Sequence, residues 1–137
     1  MIRYYSEDCN LPEIDQLAVT DWIIKVAAFH IKKAGEINYI FCSDARILEV
    51  NNQYLQHDYF TDIITFDYTV ENKISGDIYI GIETVASNAE MLHLDFETEL
   101  NRVIIHGVLH LCGFKDKTPE TEFIMHQKED EALILMY

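Results

Sequence analysis

Apolar positions change period several times along the chain, and each change predicts an element. Ile2 to Ser6 reads as a short strand, followed by a polar stretch that Asn10 and Pro12 break. From Thr20 to Ala34, the residues Trp22, Ile23, Val26, Ala27, His30 and Ile31 recur at three- and four-residue steps. That spacing predicts a helix with Gly35 as its stop. Ile37 to Cys42 is rich in β-formers and predicts a second strand. Ser43 then suits the N-cap of a helix from Asp44 to about Gln56, with Ile47, Leu48, Asn51 and Tyr54 on related faces. Between Asp62 and Tyr68, Ile63, Thr65 and Asp67 alternate with Ile64, Phe66 and Tyr68. Glu71-Asn72-Lys73 makes a turn and Gly76 to Ile80 returns, most simply as a hairpin. A helix is expected from about Glu83 to Leu92. Asp95 then caps a helix from Phe96 to Cys112, which carries Leu100, Val103, Ile104, Val108 and Leu111 and ends at Gly113. Thr118 caps a last helix, with Pro119 at its first position and Glu120 in its first turn, running close to Tyr137. The sum is an α+β fold. It has a small mixed sheet of about four strands and about five helices on one or both faces, in one domain spanning 1–137.

Composition adds two constraints. Hydrophobic residues are 49% of the chain, enough for a buried core, but 10 Lys and Arg face 24 Asp and Glu, a formal net charge of −14. Such a chain lacks a broad basic footprint for nucleic acid, and DNA is not an expected partner. A polyanionic substrate must be met by a local cation, either a metal ion or a few placed side chains. The longest purely apolar run, Ala132 to Tyr137, is far short of a membrane span, and Met1 to Tyr5 has no apolar signal core. Three cysteines, Cys9, Cys42 and Cys112, form no CxxC pair, so a reducing, cytoplasmic setting is expected.

The chemistry concentrates in His106-Gly107-Val108-Leu109-His110-Leu111-Cys112-Gly113-Phe114-Lys115-Asp116. Histidines four apart on a helix share one face, one turn apart, within reach of a single ion. A glycine three residues later can adopt a left-handed conformation and swing Asp116 back toward them. Two imidazoles and a carboxylate are a standard three-ligand set for zinc, with the fourth position left to water as in catalytic sites. The spacing H-x3-H-x2-G-x2-D resembles the long zincin pattern, with Asp in the last ligand slot. It departs from that pattern at Gly107, where zinc peptidases carry the glutamate that serves as general base. Cys112, about 200° around the helix from His110, is expected to be a packed thiol and not a fourth ligand.

This segment resembles the signature of the YbeY family of zinc-dependent endoribonucleases, H-G-x-L-H-L-x-G-[FY]-x-H. Asn51, Tyr54 and Thr61-Asp62-Ile63-Ile64-Thr65-Phe66 resemble the family's N-x-x-[YF]…T-D-V-L-S-F block, and Gly76-Asp77-Ile78 its G-D-I strand. The resemblance implies an α+β fold with a zincin-like helix. It implies one Zn2+ per chain on His106, His110 and Asp116. It also implies RNA as substrate, in maturation of the 3′ end of small-subunit ribosomal RNA and in ribosome quality control, with the ribosome or small-subunit proteins as partners. Two departures stand out. The third ligand is usually histidine and is here Asp116, which makes the site about one charge less positive. Leu55 stands where many members have an arginine.

Lys115, Lys117 and Arg102 are the candidate phosphate contacts. Arg102 lies one turn before His106 on a similar face. Asp62 and Asp77 are expected to make turn or strand-end hydrogen bonds. His30, His57, His93 and His126 have no ligand-like spacing. No general base is identified, and attack by water or by the RNA 2′-hydroxyl both stay open. Two other functions fit parts of the pattern: a non-catalytic ribosome-associated module with a structural metal, and a zinc peptidase, which Gly107 disfavours. With −14 of net charge, weak affinity for naked RNA is expected, and better action in a ribosomal context.

Overall fold

A computed structural model of the chain describes residues 1–55 and 61–136. The strands are β1 (Ile2–Ser6), β2 (Lys33–Cys42), β3 (Ile63–Asp67) and β4 (Lys73–Gly81). The helices are α1 (Gln16–Phe29), α2 (Asp44–Leu55), α3 (Ile82–Met91), α4 (Phe96–Leu111) and α5 (Pro119–Met136). The sheet order is β1-β2-β4-β3. β1 and β4 run parallel to β2, while β3 and β4 form the expected antiparallel hairpin. The α+β architecture and the mixed four-stranded sheet therefore match the pattern in the sequence.

Boundaries differ at α1, β2 and β4, the last of which begins at Lys73 and not at Gly76. The first helix starts earlier, on an Asp15 N-cap that accepts from the Ala18 amide, and ends at Phe29 instead of Ala34. Ile31 takes a left-handed φ of 61°, and the Lys32 amide turns back to the Ala27 carbonyl. Lys33 and Ala34 are thereby released to pair with Lys73 and Ile74 in the sheet. Gly35 stops no helix. It sits at a register shift in β2, where a Cβ would lie 2.5 Å from Ser75 Oγ. Strand pairing over these residues outweighs their helical spacing.

Helices cover both faces of the sheet. On one face, α1, α4 and α5 pack over Ile37, Tyr39, Phe41, Ile78 and Ile80. On the other, Ile47 and Val50 of α2 pack with Ile64, Phe66 and Tyr79. α4 is the central helix, and two bonds fix the layers around it. The buried Tyr39 hydroxyl donates to the Ile104 carbonyl at 2.9 Å, and Trp22 Nε1 donates to the Ala132 carbonyl at 2.7 Å, tying α5 to α1.

Candidate metal centre

α4 delivers the two histidines, and the turn after it delivers the carboxylate. The helix closes with paired C-terminal bonds: the Gly113 amide donates to the His110 carbonyl and the Phe114 amide to the Leu109 carbonyl, with Gly113 at φ 105°. A side chain is disfavoured at that φ, so glycine makes the reversal affordable. The reversal brings Asp116 Oδ2 to 3.1 Å from His106 Nε2 and 3.3 Å from His110 Nε2. One donor atom from each of the three residues lies within 4.8 Å of the others, a group that could hold a metal ion. In a tetrahedron with metal–ligand bonds of about 2.0–2.1 Å, donors stand roughly 3.3–3.4 Å apart, so the donor set fits zinc in chemistry and in spacing.

Gly107 faces the sheet. A Cβ there would lie 2.9 Å from Ile78 Cδ1 and 3.2 Å from Ile63 Cδ1. The position that carries the base in zinc peptidases is here the contact between α4 and the sheet. Cys112 also points away from the imidazoles and packs against the core, where burial pushes its thiol up to about 11.

Behind the ligands stands a residue that the motif does not announce. Glu129 of α5, 6% exposed, takes His106 Nδ1 at 2.6 Å and Arg102 at 2.9 Å. Arg102 donates also to Asp130, at 2.7 Å. A carboxylate on Nδ1 fixes the tautomer in which Nε2 is free to ligate. The only sequence signal for Glu129 is its place among Met125 and Ala132, the other buried residues of α5. Arg102 lines the cleft, but its guanidinium is engaged by Glu129 and Asp130.

The surrounding charges separate the two imidazoles. Burial lowers His106, but the hydrogen bond and charge of Glu129, with Asp116 and Asp62, leave it above the ordinary value. Burial and the neighbouring His106 charge lower His110. Burial also raises Glu129, and its bonds to His106 and Arg102 reverse that and hold it below the usual carboxylate range.

The ligands open onto a cleft of about 630 Å³ whose wall includes Asp62, Glu99, Lys115 and Lys117. Both lysines are exposed, and Leu55 lines the same cleft without a charge. Burial raises the Asp62 carboxyl, opposed by the His106 charge. Glu99 is 6% exposed, and its Oε1 has no hydrogen-bond partner among the described residues. Asp77 lies mid-strand in β4 and accepts from Asn38 Nδ2 of β2 at 3.0 Å, a cross-strand side-chain bond and not the expected turn or strand-end one. His30 packs edge-on against Phe29 and Phe114, and His93 follows α3. His126 stands beside the centre, with Nδ1 3.5 Å from Arg102, a proximity its spacing did not suggest. His57 lies outside the described residues. Among the described residues, no helix is long and apolar enough to cross a membrane.

The family model described as endoribonuclease YbeY matches residues 2–136. An endoribonuclease YbeY of Parabacteroides distasonis is 58% identical over 98% of this chain and 95% of its own length. One of Phocaeicola vulgatus is 55% identical over 99% of each chain. The solution structure of TM1509 from Thermotoga maritima superposes with a TM-score of 0.68 at 29% identity, covering 99% of this chain and 89% of that one. With the helix-borne histidines, the glycine turn and the returning carboxylate in place, these matches establish that the chain belongs to the YbeY endoribonuclease family.

Proposed function

We propose that the chain, acting as one domain over 1–137, is a zinc-dependent endoribonuclease for single-stranded RNA. Its task is maturation of the 3′ end of small-subunit ribosomal RNA and ribosome quality control, in the cytoplasm. The observation that carries this reading is the convergence of His106 Nε2, His110 Nε2 and Asp116 Oδ2 beside an open cleft. Family membership supports the substrate class.

His106, His110 and Asp116 would hold one Zn2+, which supplies Lewis acidity toward a phosphodiester and toward water. Glu129 keeps the His106 proton on Nδ1 and so leaves Nε2 free to ligate. Arg102 neutralises part of the Glu129 charge and holds that carboxylate in place. Lys115 and Lys117 flank Asp116 on the cleft wall and draw the RNA phosphates toward the ligands against the repulsion of a −14 chain. Arg102 shares this electrostatic role at reduced strength, since two carboxylates already claim it. The small number of free cations favours action on RNA presented by the ribosome or by small-subunit proteins.

His110→Ala is the test. The variant is expected to lose bound zinc and RNA cleavage together while keeping its fold by circular dichroism. Retained zinc stoichiometry would refute the ligand assignment. Wild-type cleavage that survives complete chelation would refute metal dependence, and a folded, zinc-loaded protein that cleaves no RNA would favour a binding module.

A further inference from the structure

Two of the three ligands, His106 and Asp116, stand where two cavities meet. The cleft of about 630 Å³ has Lys115 and Lys117 in its wall. A second cavity, of about 720 Å³, is walled by Pro119, Glu122, Phe123, Met125 and His126. His106, Asp116 and Glu129 belong to both walls. An endonuclease must hold nucleotides on both sides of the bond it breaks. A strand that crosses the histidines leaves one cavity and enters the other.

Both walls carry carboxylates, and they differ in cations: Arg102, Lys115 and Lys117 stand in the first, which gives a phosphate partners there. Among the described residues, the second wall has no lysine or arginine, while Glu122 joins Asp116 and Glu129 in it. A phosphate placed there would meet carboxylates. The uncharged, flat part of a nucleotide is its base. Phe123 offers a surface for one: it is 65% exposed and has no ring partner among the described residues. His126, 64% exposed, follows three residues on, on the same side of α5. Base–aromatic stacking tolerates any base, because every base has a π-face.

We propose that Phe123 is the stacking platform for a nucleobase next to the cleaved bond, with His126 forming the edge of that subsite. The RNA backbone then runs along the lysine-bearing cleft, and the base beyond the metal ligands turns onto α5. The proposal rests on reading His106, His110 and Asp116 as the reaction centre, and its test separates the two.

Zinc-loaded wild type, Phe123→Ala and Phe123→Trp are compared on single-stranded RNA oligonucleotides. The alanine variant is expected to lose about five- to a hundredfold in kcat/KM, mostly through KM, and tryptophan to restore it. An abasic nucleotide is then moved along the positions flanking the cleavage site. At one position it should cost the wild type as much as Phe123→Ala costs on intact RNA, and cost the alanine variant nothing more. 2-Aminopurine at that position should be quenched on binding to wild type and not on binding to Phe123→Ala. Equal cleavage by wild type and Phe123→Ala overturns the proposal. So do losses that multiply at every abasic position, or a fall in metal content or melting temperature in Phe123→Ala. Failure of the metal reading shows separately, as zinc retained in His110→Ala.

Discussion

Glu129→Gln keeps the shape behind His106 and removes the charge. The wild-type carboxylate accepts from two sides, His106 Nδ1 at 2.6 Å and Arg102 at 2.9 Å. A glutamine has one acceptor oxygen, so one neighbour must lose. With its oxygen toward His106, its NH2 faces the Arg102 donors. With its NH2 toward His106, Nδ1 must accept, and the imidazole proton moves to Nε2, the nitrogen that faces Asp116 and would ligate. Loss of a carboxylate behind a ligating histidine costs ten- to a hundredfold in metal affinity, which is about 1.4–2.7 kcal/mol. The metal-free protein should also lose about 1–3 kcal/mol, because a charge-assisted bond in a mostly buried position is broken. That corresponds to about 3–5 °C of melting temperature per kcal/mol for a chain of this length. Zinc titration against a chromophoric chelator measures the first effect, and thermal melts without metal measure the second. Zinc affinity within twofold of wild type in a folded Glu129→Gln protein would refute the role given to this residue.

Three further outcomes are expected. Gly107→Ala should destabilise the fold by about 1–3 kcal/mol in urea melts, because its methyl would lie 2.9 Å from Ile78 Cδ1; unchanged stability would mean that α4 does not rest on the sheet there. Glu99→Gln should be more stable than wild type at pH 7, with the gap closing as pH falls through the raised folded value of Glu99 to the ordinary carboxylate range. Burial and then the Asp62 charge raise Glu99 in the fold, and a raised carboxyl costs stability only once it must ionise; a wild type that is the more stable at pH 7 counts against this. Zinc affinity should fall as pH drops through a value above that of a free imidazole, because His106 holds its proton longer than usual. Without metal the sign reverses: the raised His106 stabilises the fold at low pH, and this contribution is lost as pH rises through its folded value. Melts with and without zinc between pH 6 and 8.5 check both arms, and parallel curves would contradict them.

Much of this centre is legible in the sequence because its parts are local. The helix spacing of His106 and His110, the stop at Gly113 and the return of Asp116 span eleven residues and depend on backbone rules alone. Glu129 escapes that reading. It comes from a different helix, its partner is 23 residues away, and acidic residues are too common in this chain for one more to stand out. Helical spacing puts Arg102 on the histidine face, but its engagement by Glu129 and Asp130 depends on how α5 docks, which no short spacing encodes. The end of α1 shows the opposite failure, a helical period overruled by long-range strand pairing at Lys33 and Ala34.

The contact at Gly107 also bears on protein engineering. The position where a peptidase keeps its acid–base group is here pressed against Ile78 and Ile63. Grafting a glutamate onto it would not open a proteolytic route. It would wedge the helix off its bed and tilt both imidazoles with it. Conversion between the two chemistries would require reshaping the floor beneath the helix first, a multi-residue change with no functional halfway point.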